Sequence, residues 1–392
     1  MKGDVRRVLL TQFLSALADN AMLFAVVTLV LQRNMPAWYV PALQAAFLLA
    51  YVIGAPWVGR LADAWPKRRV LWLANLLKLG GVGLMLMGAE PLLAYAVVGA
   101  GAALYSPAKY GILPELVDRK ALLRANGWIE AATILAILGG TWFGALLAQA
   151  SMVYALLLIG GLYLASIRAA MRLRHDHVAG VENGNGLLRF GQQMRLLLAT
   201  PRARFATLGV SLFWGAATIL RVALVAWAPA VLYLTDSPSI ALLSLFVAVG
   251  IAIGALLAPR LIPPGRLRRA RMAAYAMGGL IILLAIQQGL AGARLMLFLA
   301  GVAGGLFVVP INAALQEIGH RHASSGGAVA IQNFFENLTM LVASGLYAFA
   351  AGQGADPVAA LGTLGAVVML ATLMVAHRLP QDTQDTSSVP AG

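Results

Sequence analysis

The strongest constraint in this chain is an apolar run from Leu9 to Leu31, broken only by Thr11, Gln12, Ser15, Thr28 and the pair Asp19-Asn20. About 20 apolar residues cross a bilayer core of roughly 30 Å, so the run reads as a membrane-spanning helix. At about 1.5 Å per residue, Asp19 lies about 15 Å along it, near the midplane. A carboxylate at that depth costs about 2.5–3.5 kcal/mol on insertion scales. A chain tolerates that cost where the group faces a bundle interior, a partner or a substrate path, and the remaining sequence has to supply one of these.

Similar runs recur. The spans lie near 8–32, 40–61, 69–89, 91–114, 125–148 and 151–170, then near 205–229, 239–258, 270–290, 294–317, 327–351 and 357–377. The expectation is an all-α polytopic membrane protein with twelve transmembrane helices in two pseudo-symmetric halves. A six-helix bundle occupies 1–170, a cytoplasmic linker 171–204, and a second bundle with a short cytoplasmic tail 205–392. Within the linker, Leu187, Leu188, Gly191, Met194, Leu197 and Leu198 recur at helical spacing around Arg189 and Arg195. That pattern fits a short helix on the membrane surface or a solvated linker with some helix.

Composition agrees. Charged residues are 11% of the chain, against roughly 25% in soluble domains. The net charge of +14 would point to nucleic acid in a soluble protein. Here the basic residues fall between apolar runs, so membrane lipids and not nucleic acid are the expected surroundings. With no cysteine, thiol catalysis, disulfides and cysteine metal sites are excluded. Lys2, Arg6 and Arg7 precede an apolar stretch, and Ala16-Leu17-Ala18 resembles a signal-peptidase site. The stretch before that site is short and the run continues past Asp19, so the reading is an uncleaved first span.

Lysine and arginine set the orientation. One set of loops holds Lys2, Arg6 and Arg7, then Arg60, Lys67, Arg68 and Arg69, then Arg119, Lys120 and Arg124. The arginines of 168–204 and 260–271, Arg321 and Arg378 fall on the same side, whereas the opposite loops hold only Arg33 and Arg294. The positive-inside rule makes the rich side, with both termini, cytoplasmic. The halves also echo one another. Gly59-Arg60-Leu61 matches Pro259-Arg260-Leu261, and Lys67-Arg68-Arg69 matches Leu267-Arg268-Arg269. Pro107, Glu115 and Glu130 align more loosely with Pro310, Glu317 and Glu336. A parallel repeat of this kind places a substrate site between the halves.

Few charges remain inside the spans. Asp19 and Arg221 lie near the middle of equivalent spans, one in each half. Either they meet the charged part of a substrate, or they form a static pair. Glu130 with Asn126, and Glu336 with Asn333, lie in the cytoplasmic halves of spans five and eleven. A buried glutamate there either carries a proton or caps and pairs structurally. Lys78 either snorkels or pairs, and Lys109 has Glu115 and Glu130 as candidate partners. Asp19, Asn20, Arg221, Glu130, Glu336, Lys109 and Asn333 are the candidate substrate-binding residues. The pairs His175/His177 and His320/His322 lack a carboxylate shell, so no metal site is expected. There is no phosphate-binding G-x-x-x-x-G-K-[ST] loop, no His-x4-Asp acyltransferase pattern and no Gly-x-Ser-x-Gly elbow. No catalytic residue and no cofactor are expected, and the chain is not read as an enzyme.

The stretch from Gly59 through Asp63 to Lys67-Arg68-Arg69 resembles the signature loop of the major facilitator superfamily, with Ala64 and Pro66 where that family often has arginine and glycine. The resemblance implies that Gly59 allows close helix approach and that Asp63, with the basic end, helps to latch a cytoplasmic gate. FLSALADNAMLF (13–24), YSPAKYGILPEL (105–116), SLFWGAATILRVALVAW (211–227), FVVPINAALQEIGH (307–320) and AVAIQNFFEN (328–337) together are similar to the bacterial lysophospholipid transporter family. That resemblance implies a secondary transporter or flippase moving lysophosphatidylethanolamine and related one-chain phospholipids inward across the bacterial inner membrane. It further implies a functional partner, an acyltransferase/acyl carrier protein synthetase that re-acylates the cargo; separately from the resemblance, a monomer is the expectation. Arginine suits bidentate phosphate contact, so Arg221 is matched to the phosphate, Asp19 to an ethanolamine ammonium and Asn20 to the glycerol hydroxyl. A proton-coupled drug or small-metabolite transporter of the same superfamily is the alternative. A non-transporting receptor has no need for midplane charges in both halves.

Overall fold

The computed structural model describes residues 3–36, 38–174, 186–234, 237–263, 266–321, 325–377 and 379. Lys2, His175, His177, His322, Arg378 and almost all of the C-terminal tail, invoked above, lie outside these. Among the described residues the chain is helical throughout, without strands: α1 (Gly3–Gln32), α2 (Tyr39–Ala64), α3 (Lys67–Leu86), α4 (Pro91–Gly111), α5 (Leu113–Leu116), α6 (Arg119–Ala150), α7 (Met152–Met171), α8 (Gly186–Ala199), α9 (Pro201–Leu232), α10 (Ser237–Leu261), α11 (Leu267–Ala285), α12 (Leu290–Arg321), α13 (Ser325–Gly352) and α14 (Pro357–Val375). Apart from α5 and α8, these are the twelve expected spans. Helices dominate because a backbone in hydrocarbon has to satisfy its own hydrogen bonds. Eleven are long and apolar enough to cross a membrane among the described residues. The twelfth, α11, falls short only because Arg268, Arg269 and Arg271 fill its first turns.

Local signals mark the helix ends. Gly88 and Gly354 take left-handed conformations, φ +79° and +78°, just past α3 and α13, where a glycine pays no Cβ penalty. Each is followed by alanine, an acid and proline. Glu90 and Asp356 then accept from the backbone N–H groups of Leu93 and Ala359, both at 2.9 Å, capping α4 and α14, and Pro91 and Pro357 open those helices. The linker segment at α8 is helical, with Phe190 and Leu197 buried and Leu187, Leu188 and Leu196 exposed.

The chain forms two compact units. The first comprises Met1–Asp118, Trp128–Arg195 and Gln316–Val342; the second comprises Arg119–Gly127, Leu196–Leu315 and Ala343–Gly392. In the first, α1 and α3 both pack on α7, and α4 packs on α2 and α3. Small residues let these backbones approach. Gly81 of α3 sits against the Ala94 carbonyl and Val98 of α4, and Gly101 of α4 against the Ala74 carbonyl and Lys78 of α3. Gly140 and Gly144 of α6, one helical turn apart, press on the α1 backbone at Leu17 and Ala21. In the second unit α9 and α11 both pack on α14. Gly278 meets Gly365, and Gly250 and Gly254 of α10 face Gly301, Val302 and Gly305 of α12. The same pairs of equivalent helices thus recur in the two halves of the sequence.

Candidate functional site

Asp19 owes its place to α1, whose polar residues Thr11, Ser15 and Asp19 recur every four residues on one face. Lys78 Nζ on α3 donates to Asp19 Oδ2 at 2.8 Å and to Ser15 Oγ at 2.9 Å. The Tyr163 hydroxyl on α7 donates to Asp19 Oδ1 at 2.8 Å. The chain of hydrogen bonds continues from Ser15 Oγ to Asn75 Oδ1, from Asn75 Nδ2 to Ser166 Oγ, and from Ser166 Oγ to the Thr11 carbonyl. The ammonium also lies 4.7 Å from the centroid of the Tyr105 ring, a cation–π contact. Asp19 therefore has its charge partner within its own unit: Lys78, and not Arg221, takes the role the sequence reading offered to a static pair. Lys78 is sealed, with 1% of its side chain exposed, while Asp19 keeps 19%. A ligand cation reaching the carboxylate has to compete with an ammonium that cannot retreat into water. Asn20 donates one amide N–H to the Ala16 carbonyl, 2.8 Å away, which leaves its side-chain oxygen and its second N–H for a ligand.

A second cluster forms in the same unit. The Tyr110 hydroxyl donates to Glu130 Oε1 at 2.8 Å. Lys109 and Glu130 are both buried, and Lys109 lies within electrostatic reach of Glu130 and of Glu336. Gln332 hydrogen-bonds Glu336. One turn before Glu336, Asn333 is buried, and its amide nitrogen has no hydrogen-bond partner among the described residues. The candidates Lys109, Glu130, Glu336 and Asn333 thus meet in one region. Glu115, the other acid offered to Lys109, instead pairs with Lys67 at 2.6 Å, and both side chains are buried. Lys67, the first residue of the motif's basic end, is thus buried in an ion pair. Arg68 donates to the Leu173 carbonyl at 3.2 Å, and Arg69 is exposed.

Asp63 is buried at the end of α2 and accepts the first backbone N–H groups of α13, Gly326 N to Oδ1 at 2.8 Å and Gly327 N to Oδ2 at 3.0 Å. A carboxylate there satisfies orphan donors and meets the positive end of the helix dipole. The approach depends on glycine. A Cβ on Gly59 would sit 2.8 Å from the Ala330 Cβ and 3.0 Å from the Gly327 Cα, and one on Gly326 would sit 2.8 Å from Asp63 Oδ1. A cleft beside this contact is lined by Gly59, Arg60, Asp63, Arg189, Phe190 and Gly327. Phe190 of α8 packs edge-on against Phe334 of α13, centroids 5.6 Å apart, so the linker helix is part of the same assembly.

In the second unit, Arg221 lies two-thirds of the way along α9 and is exposed, on the same face as Val222 and Val225. No acidic side chain holds it among the described residues of that unit. Among the described residues no group of three or more His, Asp or Glu side chains is placed to hold a metal ion. The sequence reading missed Ser15, Asn75, Tyr105, Tyr163 and Ser166. The available signal was the four-residue spacing on α1 and the Asn75–Lys78 pair one turn apart on α3.

Residues 8–344 match the Major Facilitator Superfamily. A protein of Photorhabdus laumondii named lysophospholipid transporter LplT is 42% identical over 347 residues, covering 88% of this chain and 87% of the relative. A protein of Yersinia pestis of the same name is 41% identical over 367 residues, covering 91% and 88%. Among solved structures, the E. coli fucose:proton symporter FucP aligns with a TM-score of 0.77 at 15% identity, covering 95% of this chain and 97% of that one. The human organic anion transporter MFSD10 aligns with a TM-score of 0.74 at 16% identity, covering 96% and 100%; at such identities the likeness is one of fold. The match across most of the chain and the recurring helix pairs lead to one assignment: the chain belongs to the Major Facilitator Superfamily and, within it, to the family of the proteins named lysophospholipid transporter.

Proposed function

We propose that this protein moves lysophospholipids inward across the bacterial inner membrane as a secondary transporter without enzymatic activity of its own. The observation that carries the reading is the 41–42% identity, over about nine-tenths of the chain, to relatives named for that cargo. Both termini are cytoplasmic in this reading, by the loop charges. The transporter works as a monomer, and a separate acyltransferase/acyl carrier protein synthetase re-acylates what it delivers. The two six-helix halves in this reading are 1–170 and 205–392, and the linker 171–204 joins them.

The site chemistry supports that cargo. Arg221 is an exposed residue with its charge well inside a span, a position that calls for water or an anion, and its planar fork suits two phosphate oxygens. Asp19 takes an ethanolamine ammonium in exchange for part of its contact with Lys78, and the Asn20 oxygen accepts from the glycerol hydroxyl. Lys109, Glu130, Glu336 and Asn333 form a second polar station. Gly59, Asp63, Lys67, Arg68 and Arg69 work the gate. Initial uptake of labelled lysophosphatidylethanolamine into vesicles carrying only this transporter tests the reading. Arg221→Ala at matched expression is expected to lose roughly thirty-fold or more, the consequence of about 2–5 kcal/mol for a truncated charged contact, for every headgroup. Arg221→Lys should recover only part. Unchanged uptake by Arg221→Ala would remove that residue from the site, and no uptake by the wild type would remove the cargo.

A further inference from the structure

The linker helix α8 carries its polarity the wrong way round for a helix in water. Arg189, Phe190 and Gln193 turn toward the cleft that α2 and Gly327 complete. Leucines take the other side: Leu187, Leu188 and Leu196 are 57%, 68% and 70% exposed. A solvated helix buries its apolar stripe and leaves arginine and glutamine outside. The polar residues on the outward side are Gln192 and Arg195. An arginine there can lay its stem along the leucines and raise its guanidinium to the headgroups.

The outward face continues an apolar surface of α2. Leu49, Ile53, Trp57 and Leu61, spaced four apart, are exposed on that helix, the stripe a span shows to lipid. The linker helix begins beside it. A Cβ on Gly186 would lie 3.3 Å from the Pro56 carbonyl and 3.8 Å from the Trp57 ring. Pro56 lies about 12 Å before the end of α2 at about 1.5 Å per residue, so α8 starts level with the cytoplasmic end of the span and not below it. Trp57 and Trp65 are both exposed, and tryptophan marks headgroup depth. The segment 186–204 holds Arg189, Arg195, Arg202 and Arg204 and no acid, a charge that complements an anionic leaflet.

We propose that α8 docks in the cytoplasmic leaflet, with Leu187, Leu188 and Leu196 among the acyl chains and Arg195 at the phosphates of anionic phospholipids, and that this docking tightens the Asp63 contact. An apolar outward face at that depth suits lipid, as interfacial helices do. The route to Asp63 is short. Phe190, on the inward side of α8, packs edge-on against Phe334 of α13, centroids 5.6 Å apart. Phe334 follows, about two turns along, the Gly326 and Gly327 N–H groups that Asp63 accepts. A helix held in the leaflet keeps Phe190 on Phe334 and so resists the parting of α13 from α2. The inference concerns the lipid on which the linker docks and is independent of the cargo.

Two measurements test this. The chain has no cysteine, so single spin labels can be placed through Leu188→Cys and Leu196→Cys, with Gln193→Cys as the inward reference. In vesicles of phosphatidylcholine with phosphatidylglycerol, the outward labels should collide with oxygen in preference to a water-soluble nickel chelate, as labels among acyl chains do. The Gln193→Cys label should show no such preference. Backbone hydrogen exchange at Gly326 and Gly327 should be several-fold slower in those vesicles than in phosphatidylcholine alone. Leu187→Ser combined with Leu188→Ser, and separately Arg195→Gln, should remove most of that difference while exchange in the other helices stays as in wild type. The proposal is overturned if the outward labels meet the nickel chelate freely, which would give the face to water or to a soluble protein partner. It is equally overturned if exchange at Gly326 and Gly327 ignores lipid charge, or if the variants keep the full response.

Discussion

Two aspartates of the first unit are held in opposite ways. Asp63 accepts from two backbone N–H groups that belong to consecutive glycines at the start of a helix. Asp19 accepts from two side chains, an ammonium and a phenol, carried by two different helices. Backbone donors cannot turn away without moving α13 itself, so the Asp63 contact is made or broken only with a movement of helices. Side-chain donors do not tie the helix backbones together, and the Asp19 side chain keeps 19% of its surface exposed, so a ligand can compete for the carboxylate while the helices stay in place. One arrangement suits a latch and the other a binding site, although the residue type is the same.

The comparison breaks most easily at Asp19. Lys78→Met leaves a partly buried carboxylate without its cation, a loss bounded by the roughly 3–5 kcal/mol of a fully buried pair. Thermal unfolding in detergent should show a large loss for that variant, and pairing it with Asp19→Asn should restore most of the stability. If the double variant is no better than Lys78→Met alone, the pair is not a unit. Next in size, Asp19→Asn should weaken uptake of lysophosphatidylethanolamine by about ten-fold or more, roughly 1.4 kcal/mol per decade, and affect a lysolipid lacking an ammonium much less. Equal loss for both cargoes would make Asp19 structural.

Asp63 should behave otherwise. Loss of a capping carboxylate costs about 1 kcal/mol, so Asp63→Ala should slow turnover about five-fold, with equilibrium binding of lysolipid retained. Binding lost in a folded Asp63→Ala protein would contradict a gating role. The smallest effect is expected from Gly59→Ala. Its new Cβ would lie 2.8 Å from the Ala330 Cβ, so α2 and α13 have to part by a fraction of an ångström. Turnover should fall about two-fold, by analogy with overpacking strain that the site can partly relax. A rate equal to that of wild type would mean that the Gly59 contact plays no part in turnover.

The sequence by itself determined the spans and the superfamily, and it named a few of the polar residues inside them, Asp19, Lys109, Glu130 and Glu336 among these. A long apolar run has one outcome in hydrocarbon, a helix that satisfies its own backbone, so the bodies of α1, α9 and α12 were legible, although their polar ends run a few residues further. The short-range motif around Gly59 and Asp63 was legible for the same reason: its chemistry is local. Only the tertiary structure decided who meets whom. Asp19 and Lys78 are 59 positions apart, Asp19 and Tyr163 144, and Asp63 and Gly326 263. Their meeting depends on the rotation and depth of each helix, which the packing of small residues such as Gly101, Gly140 and Gly327 sets. Lys67 shows the limit most plainly. Its motif gives a basic residue at the start of a span, but only the fold pairs it with Glu115 and buries both side chains, because a charge at the end of a span takes the partner that neighbouring helices bring to it.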